Sequence, residues 1–282
     1  MKPVTSQRSA VALLVPGLLV LVPLLAAGYA FFVLTEAGQA LDYAGYFGRG
    51  REPGAAVDYD RHILSWITPI HLAAAGGATV LIASVRRRPF TGLVAAAALF
   101  AAVCGAEWFK RNLPRPELSE APGKVPAYFS GDTYPSGHTT AGTSMAMGLI
   151  LAGAARWRKV IALAAAAVSA SYATAVLFLG WHRPSDAFGG ILWSALCMGA
   201  AGLFLLAWTR PPPPSAKLGP VVLALGAALC AAGLGAAWYF AGVPLQKIAG
   251  NLPLAGFLAL IVIPAFASCL WLGSALGSAE DV

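Results

Sequence analysis

The sequence predicts an all-α protein, a polytopic bundle of membrane-spanning helices. Three observations support this fold class: 58% of the 282 residues are hydrophobic, only 11% are charged, and the mean hydropathy is +0.71. A soluble domain of this length carries about twice that share of charged residues. Uncharged runs of about 20 residues are long enough to cross a bilayer as helices.

Eight apolar runs predict eight spans. They cover residues 10–34, 63–84, 91–109, 138–155, 160–181, 187–208, 218–241 and 252–277. The first run is too long for the hydrophobic region of a signal peptide and further spans follow it, so we expect it to be retained as a helix. The stretch 35–62 is predicted to be either an amphipathic segment on the membrane surface or a solvated loop.

The proline run Pro211–Pro214 predicts a domain boundary, because consecutive prolines hold the chain extended. Residues 1–210 are then a six-span core, 211–217 a proline linker and 218–282 a two-helix C-terminal membrane extension. No internal repeat is visible, which argues against an inverted-repeat transporter.

The distribution of charge predicts the orientation in the membrane. Ten of the nineteen Lys and Arg residues lie in four alternate segments: Lys2, Arg8, Arg86–Arg88, Arg156, Arg158, Lys159, Arg210 and Lys217. The positive-inside rule places these segments and both termini in the cytoplasm. The net charge of +7 is therefore a topology signal, and no basic aromatic platform indicates nucleic acid. The excess of Arg over Lys and the abundant Ala are typical of a GC-rich bacterial genome, so we expect a bacterial inner (plasma) membrane.

Two histidines lie at matching ends of two predicted spans. His138 opens one span and His182 follows the next, 44 residues later. That separation is the length of two crossings and a turn, so both side chains are expected on the extracytoplasmic face. Asp186 lies four residues after His182, on the same helical face if the helix begins there. A carboxylate on one imidazole nitrogen fixes the tautomer and supports attack by the other nitrogen; alternatively, Asp186 only caps a helix.

Phosphate-binding groups surround these histidines in the sequence. Ser136 and Gly137 precede a predicted helix, whose first N–H groups favour an anion; alternatively, Ser136 is an ordinary helix cap. Lys110 lies at the end of the preceding span, and Arg115 lies at the beginning of the loop that follows it. Their commoner role is snorkelling to the membrane interface, and Glu107 is expected to pair with Lys110.

These residues resemble the three signatures of the type 2 phosphatidic acid phosphatase (PAP2) superfamily. The resemblance covers roughly residues 105–190, through Lys110 with Arg115-Pro116, Pro135-Ser136-Gly137-His138, and His182 with Asp186. It implies a six-helix core and a metal-independent phosphatase without a cofactor. His182 would be the nucleophile, Asp186 its orienting partner and His138 the general acid. The residues that would hold the phosphate are Lys110, Arg115, Ser136 and Gly137.

Two features depart from the family pattern. Four residues rather than six separate Lys110 from Arg115, and Ala175-Val176 stand where the family carries Ser-Arg. One phosphate-binding arginine is therefore missing, and Arg183 or Arg111 is predicted to replace it.

The expected function is hydrolysis of the terminal phosphate of a membrane lipid phosphate, of the phosphatidate or prenyl phosphate or diphosphate type. An alternative within the family is an undecaprenyl or polyprenyl diphosphate phosphatase that recycles a carrier lipid. An alternative from another class is a membrane protein that binds or transports a phosphate lipid without turnover. All four cysteines lie in predicted spans without ligand spacing, so neither a disulfide nor a metal site is expected. The partners implied are the lipid substrate and the bilayer, and the sequence indicates no oligomeric state.

Overall fold

The computed structural model describes residues 3–49, 54–123, 133–209 and 251–278. These residues form nine α-helices and one short 3-10 turn, and no strand occurs among them. The helices are α1 Pro3–Phe32, α2 Glu36–Gly48, α3 Gly54–Ser65, α4 Pro69–Val85, α5 Pro89–Asn112, α6 Gly137–Ala152, α7 Arg158–Phe178, α8 Pro184–Trp208 and α9 Leu252–Ser278.

Five of the described helices are long and apolar enough to cross a membrane. They are α1, α5, α7, α8 and α9, and the chain is therefore a multi-pass membrane protein. The helices α4 and α6 are shorter, with 17 and 16 residues. The predicted span 218–241 and the predicted linker 211–217 lie outside the described residues.

The segment between the first two predicted spans folds as two helices, so the prediction of a solvated loop is wrong. Thr35 caps α2 by accepting a hydrogen bond from the Gly38 N–H at 3.0 Å. One face of α2 is buried against the protein itself. The predicted span 63–84 also starts too early. Helix α3 ends at Ser65, and α4 begins only at Pro69, capped by Thr68.

Basic residues join several helices at one end of the bundle, the basic end. Arg86 at the end of α4 donates to the carbonyl of Ala152, the last residue of α6, at 2.6 Å. Arg158 at the start of α7 donates to the carbonyls of Ile150 in α6 and Leu276 in α9, at 3.2 and 3.1 Å. Because α6 begins and α7 ends far from these contacts, the two histidines lie at the opposite end.

The helix α9 packs along α7, α8 and α1. Its buried residues Leu254, Ile261 and Leu272 lie on one face, spaced about two or three turns apart. The C-terminal helix is therefore part of the same apolar core as the preceding spans. The domain boundary at 211–217 stays a prediction, since residues 210–250 lie outside the described part of the chain.

Candidate active site

The start of α6 is tied to the start of α8. The Ser136 hydroxyl caps α6 by accepting a hydrogen bond from the Thr139 N–H at 3.3 Å. The Ser136 N–H donates to the Asp186 carbonyl at 2.8 Å, and Ser136 is fully buried. Ser136 therefore has the capping role that the plainer alternative predicts, and its hydroxyl as a phosphate ligand stays a prediction.

Lys110 reaches from the end of α5 to the first residue of α6. Its ammonium group pairs with Glu107 at 2.7 Å, as the sequence predicted. A Cβ atom on Gly137 would lie 2.9 Å from Lys110 Nζ and 2.7 Å from Glu107 Oε1. A larger residue at this position would push the ends of these two side chains away from the helix N-terminus. A cation and the free N–H groups of α6 therefore meet at one place.

A short turn between α7 and α8 carries His182. The helix α7 ends at Phe178, and Gly180 then adopts a φ of +69°, which glycine tolerates without strain. The Val176 carbonyl accepts hydrogen bonds from the N–H groups of Trp181 and His182 at 3.0 and 3.2 Å. The turn is thus closed by backbone bonds to the last turn of α7.

Asp186 contacts His182 through a helix cap. The distance from His182 Nδ1 to Asp186 Oδ2 is 3.3 Å, and the same oxygen accepts the Arg183 N–H at 3.0 Å. The condition for a shared helical face is not met, because α8 begins only at Pro184 and His182 precedes it. Both predicted roles of Asp186, as cap and as partner of the imidazole, are combined in one oxygen atom.

The two histidines face each other at the entrance to the bundle. Their ring centroids lie 6.5 Å apart, and the Trp181 ring packs edge-on against His138 at 5.3 Å. His182 retains 8% exposure, while Asp186 behind it is fully buried. Since Asp186 occupies Nδ1 of His182, the nitrogen left for a substrate is Nε2.

Arg115 is buried between two carboxylates, so the snorkelling alternative is wrong for this residue. Its side chain is 6% exposed, with Nη2 at 3.1 Å from Asp42 Oδ2 and Nη1 at 3.7 Å from Asp186 Oδ1. Asp42 belongs to α2, in the stretch predicted as a loop or surface segment. The guanidinium therefore joins α2 to the His182–Asp186 pair.

Residues 89–210, from α5 to the end of α8, match the family model of the PAP2 superfamily. The chain contains a PAP2 superfamily domain. Membership implies phosphatase-type activity on phosphate monoesters. Comparison with curated proteins gives no significant match, and comparison with solved structures gives none.

The PAP2 domain carries Val176, fully buried, where the resemblance called for an arginine. Arg183, a predicted replacement, is 2% exposed and donates to Thr133 Oγ1 at 3.1 Å and to Tyr43 Oη at 3.2 Å. Arg111, the other predicted replacement, lies exposed at the end of α5. Arg183 therefore links the segment before α6 to α2, and phosphate binding by either arginine stays a prediction.

Sequence reasoning missed Asp42, which contacts Arg115 and Ser185 at the candidate site. Its Oδ1 accepts the Ser185 N–H at 3.0 Å, and its Oδ2 accepts the Ser185 hydroxyl at 2.6 Å. Burial raises the pKa of Asp42 to about 6, against the opposing effect of Arg115. The available signal was the helical spacing of Gln39, Tyr43 and Tyr46, which places an amide and two phenols on one face beside Asp42.

Within residues 3–49, 54–123, 133–209 and 251–278, no group of three or more His, Cys, Asp or Glu side chains could hold a metal ion. The candidate site in this part of the chain presents two imidazoles, two cations and a helix N-terminus.

Proposed function

We propose that this protein hydrolyses the terminal phosphate of a membrane lipid phosphate, with His182 as nucleophile and no metal ion. The observation that carries the proposal is the His182–Asp186 pair facing His138, with Lys110 against Gly137 at the same end of the bundle. An oriented imidazole, a second imidazole and a cation at a helix N-terminus are the groups that phosphoryl transfer needs.

The first step forms a bond between His182 Nε2 and phosphorus while the bond from phosphorus to the lipid oxygen breaks. Asp186 accepts the Nδ1 proton of His182 in a hydrogen bond and stabilises the positive charge that develops on the ring. Burial, His182 and Lys110 lower the pKa of His138 to about 4. The negative charge of the bound phosphate raises this pKa again, so that His138 takes up a proton and gives it to the departing oxygen. The products are the dephosphorylated lipid and a phosphohistidine.

The second step regenerates the enzyme. A water oxygen attacks phosphorus, the bond to His182 Nε2 breaks, and inorganic phosphate leaves. His138, neutral after the first step, takes the proton from the attacking water and is ready for the next cycle. The two ring centroids lie 6.5 Å apart, so both imidazoles are close enough to act on the same phosphoryl group.

Positive charge stabilises the equatorial oxygens of the transferring phosphoryl group. Lys110 lies beside the first N–H groups of α6, and Arg115 Nη1 lies 3.7 Å from Asp186 Oδ1. Such fixed donors supply most of the catalysis in phosphoryl transfer.

The substrate is proposed to be a lipid at the extracytoplasmic face of a bacterial plasma membrane. Five candidate spans support a location of the protein in the bilayer, where a membrane-anchored substrate is available to it. Support for the orientation comes from the basic end, where Arg86 and Arg158 cluster. The positive-inside rule assigns that end and both termini to the cytoplasm.

Phosphate release from purified protein in detergent tests this proposal. We expect release from at least one of phosphatidate, phosphatidylglycerophosphate, a prenyl monophosphate and a prenyl diphosphate. Rapid acid-free quenching with labelled substrate should trap label on the protein, and His182→Ala should remove it. Binding of these lipids without any phosphate release would instead favour the non-catalytic alternative.

A further inference from the structure

The helix α2 contacts two of the three sequence motifs of the site from outside the matched domain. It covers Glu36–Gly48, upstream of the region 89–210 that matches the family. Its inner face carries Gln39 and Asp42, which are 2% and 0% exposed. Burying a polar group destabilises the fold unless the group is hydrogen-bonded. The hydrogen-bond partners of Gln39 and Asp42 therefore indicate what α2 does.

Gln39 holds the loop that carries Arg115. Its amide nitrogen donates to the carbonyls of Val33 and Pro116, at 2.8 and 2.6 Å. Its amide oxygen accepts the N–H groups of Leu118 and Ser119 at 3.1 and 3.3 Å. The backbone directly after Arg115 is therefore fixed to α2.

Asp42 holds the side chain of Arg115 and the start of α8 together. One carboxylate oxygen pairs with Arg115 at 3.1 Å and accepts the Ser185 hydroxyl, and the other accepts the Ser185 N–H. Ser185 lies directly before Asp186. Asp42 thereby sets the distance between Arg115 and the His182–Asp186 pair.

The same geometry prevents Arg115 from closing onto Asp186. A guanidinium and a carboxylate, both buried, favour a bidentate pair with two short hydrogen bonds. Here the contact of Arg115 with Asp186 is a single approach at 3.7 Å, because Asp42 holds the other guanidinium nitrogen. Asp186 keeps its Oδ2 for His182, and Arg115 keeps N–H groups for a phosphate.

We infer that Asp42 is a positioning residue for phosphoryl transfer, which keeps Arg115 away from Asp186 and ready for the phosphate. This role rests on the proposed function. Asp42 acts through Arg115 and does not touch the substrate. Burial raises the pKa of Asp42 to about 6 while Arg115 lowers it, so the carboxylate is charged at neutral pH with that cation beside it.

The test compares Asp42→Asn with Glu36→Gln in phosphate release at a temperature well below unfolding. Both variants remove one negative charge from α2, but Glu36 is exposed in the first turn. Asp42→Asn should lower kcat about 10-fold or more, because Arg115 would then pair with Asp186 instead of the phosphate. KM should change less than about threefold, because the variant also loses a negative charge that repels the phosphate. Glu36→Gln should stay within about twofold of wild type.

A double-mutant cycle with Arg115→Ala separates positioning from general stability. If Asp42 acts through Arg115, adding Asp42→Asn to Arg115→Ala should cost less than about threefold more activity. It should also raise the unfolding temperature of Arg115→Ala, because a buried unpaired carboxylate is removed. Should Asp42→Asn not fold, Ser185→Ala removes only one of its bonds and should still lower kcat about threefold.

The role of Asp42 is overturned if Asp42→Asn and Glu36→Gln behave alike, or if Asp42→Asn costs the same factor with and without Arg115. An unchanged kcat in Ser185→Ala overturns it where Asp42→Asn does not fold. A wild-type protein that releases no phosphate from any lipid in the panel overturns the proposed function itself, and this role with it. An active wild type with an insensitive Asp42→Asn contradicts only the inference about Asp42.

Discussion

At the scale of single residues, the two histidines differ in whether another group can take over their chemical role. His182 is mostly buried, with Nδ1 on Asp186, and the neighbouring Ser185 and Asp186 side chains are fully buried and hydrogen-bonded. His138 is held by the Trp181 ring and faces His182 across the site. Water can partly take over proton transfer, but it cannot form the covalent intermediate.

His182→Ala is expected to abolish phosphate release, and His138→Ala to lower kcat by about 10²–10⁴-fold, the usual contribution of general acid–base catalysis. Steady-state release with the best substrate of the panel measures both. His62→Ala is a matched control, since His62 is exposed near the end of α3. Near-wild-type activity in His182→Ala would contradict the mechanism.

Gly137→Ala is expected to lower kcat/KM about 10-fold with little loss of stability. The added methyl group would overlap the ends of the Lys110 and Glu107 side chains. Both side chains can rotate away, which would move the Lys110 ammonium group away from the N-terminus of α6. Gly77→Ala in α4 is the control, because a Cβ there meets nothing within 4 Å. Phosphate release and the unfolding temperature are measured for both variants. Equal losses of activity in Gly137→Ala and Gly77→Ala would mean that the Lys110 contact does not contribute to catalysis.

At the scale of helices, the site is built where termini meet. The starts of α6 and α8 are joined by the bond from the Ser136 N–H to the Asp186 carbonyl. Arg183 joins the same region to α2 through Tyr43, and to the segment before α6 through Thr133. A change at one of these joints should alter the geometry of the histidines without contacting them.

Arg183→Ala is expected to lower kcat/KM about 10-fold, equivalent to about 1.4 kcal/mol of transition-state stabilisation. Removal of a buried guanidinium leaves Thr133 and Tyr43 without a donor, and the site loses a positive charge. Arg111→Ala, at the exposed end of α5, is expected to stay within about twofold of wild type. If the two results were reversed, Arg111 would be the replacement for the missing arginine. Kinetics on both purified variants measure this difference.

At the scale of the whole molecule, the bundle has one basic end and one histidine end. Arg86 and Arg158 close the basic end through main-chain carbonyls, while Lys110 and the histidines occupy the other. Because a polytopic protein inserts with its cationic loops in the cytoplasm, this polarity relates the chemistry to one side of the membrane.

Activity is expected to persist within about twofold of the untreated rate in excess EDTA, since the proposed transition state is neutralised by Lys110, Arg115 and N–H groups. Phosphate release before and after chelation and gel filtration measures this. Loss of activity that returns with Mg²⁺ would show that a metal ion takes part.

A cysteine at Glu120, in the exposed loop after α5, is expected to react with an impermeant thiol reagent in intact cells. A cysteine at Arg87, in the turn after α4, is expected to react only after lysis. The parent protein, with its four native cysteines, sets the background. The opposite labelling pattern would place the site in the cytoplasm, even if phosphatase activity were confirmed.

Much of the architecture could be predicted because the signals are local. Apolar runs of about 20 residues mark spans in any fold, and α1, α5, α7, α8 and α9 confirm five of them. The stretch 35–68 could not be predicted in the same way. Its helices α2 and α3 are short and mixed in polarity, so their stability depends on packing that a hydropathy pattern does not contain.

The sequence by itself determined the class of protein, the motif residues and the shared end of the two histidines, because spacing along the chain and crossing length suffice for these. The tertiary structure alone decided the partners of charged side chains that lie far apart in the sequence. Asp42 meets Arg115 across 73 residues of sequence and Ser185 across 143, and no local pattern encodes such a pair. A buried charge is stable only with a partner, and that partner can lie anywhere in the sequence. Here the partner of Arg115 is Asp42, so α2 contributes to the site.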